Sequence, residues 1–122
     1  MNRTFTGKGL SIGGRHYPSG IGMPTDSEVE FAINGIYETF SAQIGLDDEF
    51  NSPDGSVDFI LEGDGKEIWR SSKALKKADG AFPIIVNIKG VQKLKLKVRR
   101  TEGQSGRAHA DWVNSKLIRT GN

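Results

Sequence analysis

Apolar residues recur at every second position through most of the chain, the period of a strand with one face buried and the other wet. Val29, Phe31 and Ile33 alternate with Glu28, Glu30 and Ala32, and after Asn34-Gly35 the residues Phe40, Ala42, Ile44 and Leu46 repeat the pattern. Val57, Phe59 and Leu61 lead into Gly63-Asp64-Gly65 and a short return carrying Ile68 and Trp69, so "EGDGKEIW" reads as a hairpin. Phe82, Ile84, Val86 and Ile88 form another run. Leu94, Leu96 and Val98 then alternate with Lys93, Lys95, Lys97 and Arg99, and Trp112 to Ile118 completes the series. No segment shows a helical stripe of ten or more residues.

About eight short antiparallel strands, punctuated by turn residues every 8 to 12 positions, predict an all-β fold: an antiparallel β-sandwich of jelly-roll type. Strand parity then sorts the connections, because consecutive antiparallel strands place alternate loops at the same end. The connections at 20–27, 47–55, 72–80 and 101–109 fall at one end, where they are long and polar. The turns at 34–38, 63–65 and 89–92 fall at the other, where they are short. A rigid scaffold with polar loops gathered at one end places ligand chemistry on those loops.

The 122 residues suffice for a single domain, 1–122, with one core. A 35% hydrophobic and 26% charged composition is that of a water-soluble domain, and no apolar run approaches the roughly 20 residues of a membrane span. No basic, apolar and small-residue leader pattern occupies Met1 to Gly20. The absence of cysteine excludes disulfides, thiolate metal sites and cysteine nucleophiles. The net charge of +2 hides a split: residues 1–64 carry 3 basic and 11 acidic groups (−8), residues 65–122 carry 14 and 4 (+10). Such a split would suit nucleic acid, but interleaved antiparallel strands mix it on the surface, and the lysine stripe lacks interleaved aromatics. No nucleic-acid partner is expected.

The candidate chemistry lies on the long-loop end. "LDDEFNSPDG" gathers Asp47, Asp48, Glu49, Asn51 and Asp54. Oxygen at this density would suit calcium, yet the spacing is not that of an EF-hand, and Asp and Asn also favour turns. "HADW" sets His109, Asp111 and Trp112 together. No GxSxG elbow accompanies them, and the second histidine, His16, lies more than 90 residues away, so neither a hydrolytic triad nor a zinc site is indicated. Trp112 could stack on a sugar or base, although an aromatic at the head of a strand is more often a core residue.

The order and spacing of "LSIGGRHYPSGIG", "SEVEFAINGIYETFSAQIGLDDE", "GSVDFILEGDGKEIW" and "GVQKLKLKVRR" before "HADW" resemble the NPCBM family, which is similar to carbohydrate-binding-module family fifty-one. The likeness covers about residues 8 to 118. It implies a non-catalytic β-sandwich that recognises terminal sugars, typically of galactose-containing glycans. It also implies an accessory domain attached to a parent glycoside hydrolase, extracellular or cell-surface in location. Two departures fall on the binding end: Met23-Pro24-Thr25 stands where members carry Thr-His-Ala after "GIG", and Ala108 stands where they carry an aspartate.

A sugar site needs planar hydrogen-bonding groups for hydroxyls and an apolar face for C–H surface. Asp48, Glu49, Arg107 and His109 are expected to supply the first, and Met23 or Trp112 the second. No cofactor and no required metal is expected, calcium being the one ion the acidic loop would suit. The alternative is a structural or protein-interaction module on the same scaffold that has lost sugar binding.

Overall fold

A computed structural model describes residues 10–17, 20–24, 26–47, 56–71, 75–76, 79–102 and 109–119. Eleven strands follow in order: β1 Leu10–Ile12, β2 Arg15–Tyr17, β3 Gly20–Pro24, β4 Ser27–Ala32, β5 Tyr37–Leu46, β6 Ser56–Gly63, β7 Lys66–Arg70, β8 Leu75–Lys76, β9 Phe82–Asn87, β10 Lys93–Glu102 and β11 His109–Arg119. The described residues contain no α-helix. The expected β-sandwich is therefore observed. One sheet runs β4-β10-β6-β7, with β8 also on β6, the other runs β3-β11-β5-β9, and every pairing is antiparallel.

The alternating positions meet between the sheets. Phe40, Ala42, Ile44 and Leu46 of β5, Phe59 and Leu61 of β6, and Leu94, Leu96 and Val98 of β10 form the core with Trp112. The Trp112 ring takes Phe59 and Phe40 edge-on, at centroid distances of 5.2 and 6.1 Å, the geometry that aromatic quadrupoles favour.

The charge split along the chain becomes a lattice across the outer face of the β4-β10-β6-β7 sheet. Acidic β4 and β6 flank basic β10 in register, Lys95 opposite both Glu30 and Glu62. Lys95 reaches Glu28 at 3.2 Å, Lys97 reaches Glu62 at 2.9 Å, and Arg70 bridges Asp58 and Glu67, each at 3.0 Å. The hydrogen bond to Glu28 raises the Lys95 pKa, and the hydrogen bond from Arg70 lowers that of Glu67.

The short-turn end is interlocked. Asn34-Gly35 and Asp64-Gly65 both hold two consecutive positive φ angles (59° and 72°, 52° and 87°), which asparagine, aspartate and glycine tolerate best. The backbone N–H groups of Ile33 and Asn34 donate to the Gln92 carbonyl. The Asp64 carboxylate accepts from the N–H of Gln92 at 3.1 Å and of Lys93 at 2.9 Å. Three separate connections are thereby tied into one closed base.

A small β1-β2 hairpin turns at Gly13-Gly14 and covers part of the outer face of the second sheet. Leu10, Ile12 and Tyr17 bury against Val113 of β11. Glycines make the approach possible: a Cβ on Gly45 would lie 2.7 Å from Ile12 Cγ2, and one on Gly22 3.0 Å from Leu10 Cδ2. β11 is consequently buried on both faces from Ala110 to Val113.

Candidate functional site

The long-connection end predicted from parity can be read from strand registers. β11 lies between β3 and β5, with His109 opposite Pro24 and Ala110 opposite both Met23 and Leu46. On the facing sheet Glu102 stands opposite Ser56, and Ser56 opposite Lys76. The strand ends that carry the 48–55 and 103–108 connections therefore gather at one end, together with the short link from Pro24 to Ser27. Each of these three connections passes from one sheet to the other. Residues 20–24, expected within a loop, instead form the edge strand β3.

Of the expected site residues, Asp48, Glu49 and Arg107 lie outside the described residues. His109 is described as backbone only: it opens β11, one position beyond the Ala110–Leu46 pair. Its backbone therefore stands beside Asp47, which directly follows Leu46.

Met23 and Trp112 are corrected by the structure. Met23 is 1% exposed and Trp112 0%, and both belong to the core between the sheets. Neither offers an apolar face to a ligand. Parity along β11 explains this: Ala110 and Trp112 point into the sandwich, whereas Asp111 and Val113 face the β1-β2 side. Trp112 Nε1 makes no hydrogen bond to a described residue, and the indole packs edge-on against its two phenylalanine neighbours.

Two carboxylates at this corner were not assigned a role from sequence. Asp47 is 7% exposed and Asp111 fully buried, its Oδ1 within 3.3 Å of where a Cβ on Gly22 would stand. Burying a carboxylate is costly, and both residues have interaction partners in the fold. The sequence signal was present in "HADW", where a charged residue interrupts a run that is otherwise buried. No group of three or more His, Asp or Glu side chains suited to a metal is found among the described residues.

Two antiparallel sheets with a closed base, and cross-sheet connections gathered at the opposite end, define a β-sandwich module. The chain belongs to the NPCBM/NEW2 domain family, which matches residues 1–118. It is 33% identical over 125 aligned positions to alpha-1,3-galactosidase B of Akkermansia muciniphila, covering 99% of the chain and 15% of that protein. The chain spans 15% or less of the curated glycosidases it matches.

Among solved structures, a CBM51 module of Clostridium perfringens GH95 in complex with methyl-galactose superposes with a TM-score of 0.72. It is 24% identical and the match covers 90% of this chain and 79% of that one. CBM51-2 of Clostridium perfringens ZmpB, solved with GlcNAc and INT domains, gives a TM-score of 0.74 at 23% identity, covering 95% of this chain and 26% of that one.

Proposed function

We propose that this chain binds the terminal sugar of a glycan through the long-connection end, and that it serves as an accessory module of a secreted or cell-surface glycoside hydrolase. The observation that carries the reading is the gathering of the cross-sheet connections of an NPCBM/NEW2 module beside His109, Pro24 and Asp47. Asp48, Glu49, Arg107 and His109 are assigned to hydrogen bonds with sugar hydroxyls. With Met23 and Trp112 in the core, recognition there rests on polar contacts, and the affinity for a monosaccharide is weak, with a Kd on the order of 0.1 to 1 mM. A galactose-type ligand is favoured by the alpha-1,3-galactosidase relative and by the methyl-galactose complex of a structural neighbour.

The test is a glycan array followed by titration calorimetry with methyl galactoside and N-acetylglucosamine. His109→Ala or Glu49→Ala is expected to weaken galactoside binding by about 1 to 3 kcal/mol, the cost of leaving a desolvated partner unmet. Lys95→Ala, on the outer sheet face, is expected to leave it unchanged. An array without hits would instead favour a structural or protein-interaction module.

A further inference from the structure

The β1-β2 hairpin covers only the part of the β3-β11-β5-β9 outer face nearest the long connections, over Gly22, Gly45 and Val113. Toward the closed base no described residue covers this face, and a depression of about 320 Å³ crosses β11, β5 and β9. Ser41 and Gln43 of β5, Pro83 and Ile85 of β9, and Asn114 and Lys116 of β11 line it. Registers place these side chains in a row, with Lys116 opposite Ser41, Ser41 opposite Ile85 and Gln43 opposite Pro83.

Two features separate this surface from an ordinary wet sheet face. Asn114 sits in a β-bulge, where the β11–β5 register shifts between Val113 and Lys116. Its φ of 53° lies in the left-handed region, and bulges commonly re-aim a side chain at a functional surface. The result brings its amide Nδ2 within 3.4 Å of Gln43 Oε1, two planar amides side by side in the depression. Next to them Ile85 is 78% exposed, a large apolar side chain left in water beside Pro83. On the opposite sheet Lys95, Lys97 and Arg70 form ion pairs with carboxylates. Lys116 forms none with a described residue.

Paired amides, a hydroxyl and an ammonium beside an apolar ledge match the alternation of hydroxyl edges and C–H faces along a saccharide. The row from Asn114 to Ile85 spans two inter-strand spacings, about 10 Å, which exceeds a single sugar ring. We propose that this open half of the sheet face is a second glycan-contact surface, which holds an internal run of two or more neutral sugar units. It rests on the reading that the chain binds glycans, but not on the long-connection end being the place where it does so.

The test is an NMR titration of the isotope-labelled chain with two probes: methyl galactoside, and a linear oligosaccharide of three N-acetyllactosamine repeats. The oligosaccharide is expected to shift the side-chain amide signals of Gln43 and Asn114 and the backbone signals of Ser41 and Ile85, and methyl galactoside is not. Gln43→Ala and Asn114→Gly should each weaken the oligosaccharide by about three- to tenfold, as loss of a contributing hydrogen bond does. Glycine adopts the positive φ of position 114 without strain, so the bulge persists and an unchanged spectrum elsewhere verifies it.

Shifts on the sheet face without shifts at Leu46, Asp47 and Ala110 would support this surface and overturn the long-connection reading. Shifts confined to those strand ends, with both variants binding as the parent does, would overturn the second surface alone. No shift with either probe would overturn both.

Discussion

Trp112 offers the sharpest test of how the binding end is built, because stacking on a ligand and packing in the core predict opposite outcomes for one substitution. A buried aromatic removes roughly 150 to 250 Å² from water, which at about 25 cal/mol per Å² is about 4 to 6 kcal/mol. The edge contacts with Phe59 and Phe40 add about 0.5 to 1.5 kcal/mol each. Against this stands the unbonded Nε1–H, whose burial costs about 1 to 3 kcal/mol. Trp112→Ala loses nearly all of the favourable part and is expected to cost about 3 to 5 kcal/mol. Trp112→Phe keeps one ring and removes the orphan donor, so its cost should be only about 1 to 2 kcal/mol.

Urea unfolding followed by circular dichroism measures both, with Trp69 left as the fluorescent reporter. Galactoside titration of Trp112→Phe should give an affinity within about twofold of the parent, since a fully buried indole meets no ligand. Full stability together with lost binding would show that the indole faces the ligand and that its placement in the core is wrong.

Gly45→Ala would drive a methyl group to 2.7 Å from Ile12 Cγ2 and 2.8 Å from the Gly80 carbonyl oxygen. It should cost about 1 to 3 kcal/mol and loosen the β1-β2 hairpin, read as faster amide exchange at Leu10 and Tyr17 with β6 and β10 unaffected. Asp64→Ala loses the acceptor for Gln92 and Lys93 and puts alanine at a positive φ. It should lower stability by about 1 to 2 kcal/mol in chemical denaturation, and Asp64→Asn by less. Arg70→Ala should raise the NMR-measured pKa of Glu67, which its hydrogen bond to Arg70 holds down. Because the folded pKa is lowered, that contribution is present above the ordinary glutamate range and is lost as pH falls through the folded value. With both groups exposed, the thermal midpoint should scarcely move.

The half-buried strands were legible in the sequence because their period survives where one face is wet: β4, β5, β9 and β10 repeat inward and outward positions as read, except that Phe82 at the start of β9 is 50% exposed. Strand parity then places the long connections at one end of the sandwich and the short turns at the other. β3 was not legible, since Gly20 to Met23 are all buried, which leaves no alternation, and two of its five residues are glycines, where a Cβ on Gly20 would meet the backbone of Trp112 and Val113. Trp112 was ambiguous for the same reason. From Ala110 to Val113 both faces of β11 are covered, and a doubly buried strand has no period to read. The hairpin that covers it consists of three-residue strands, too short for a periodicity argument, although Gly13-Gly14 between Ile12 and Tyr17 was a turn signal in plain view.

The central claim, that a terminal sugar sits at the long-connection end, is tested most directly by a crystal structure of the chain grown with methyl galactoside. The account predicts the sugar against the 48–55 and 103–108 connections, hydrogen-bonded to His109 or Glu49, with Trp112 beneath the surface and out of contact. A sugar stacked on Trp112, or bound only on a sheet face with the strand ends at Pro24, Leu46 and His109 empty, would contradict it.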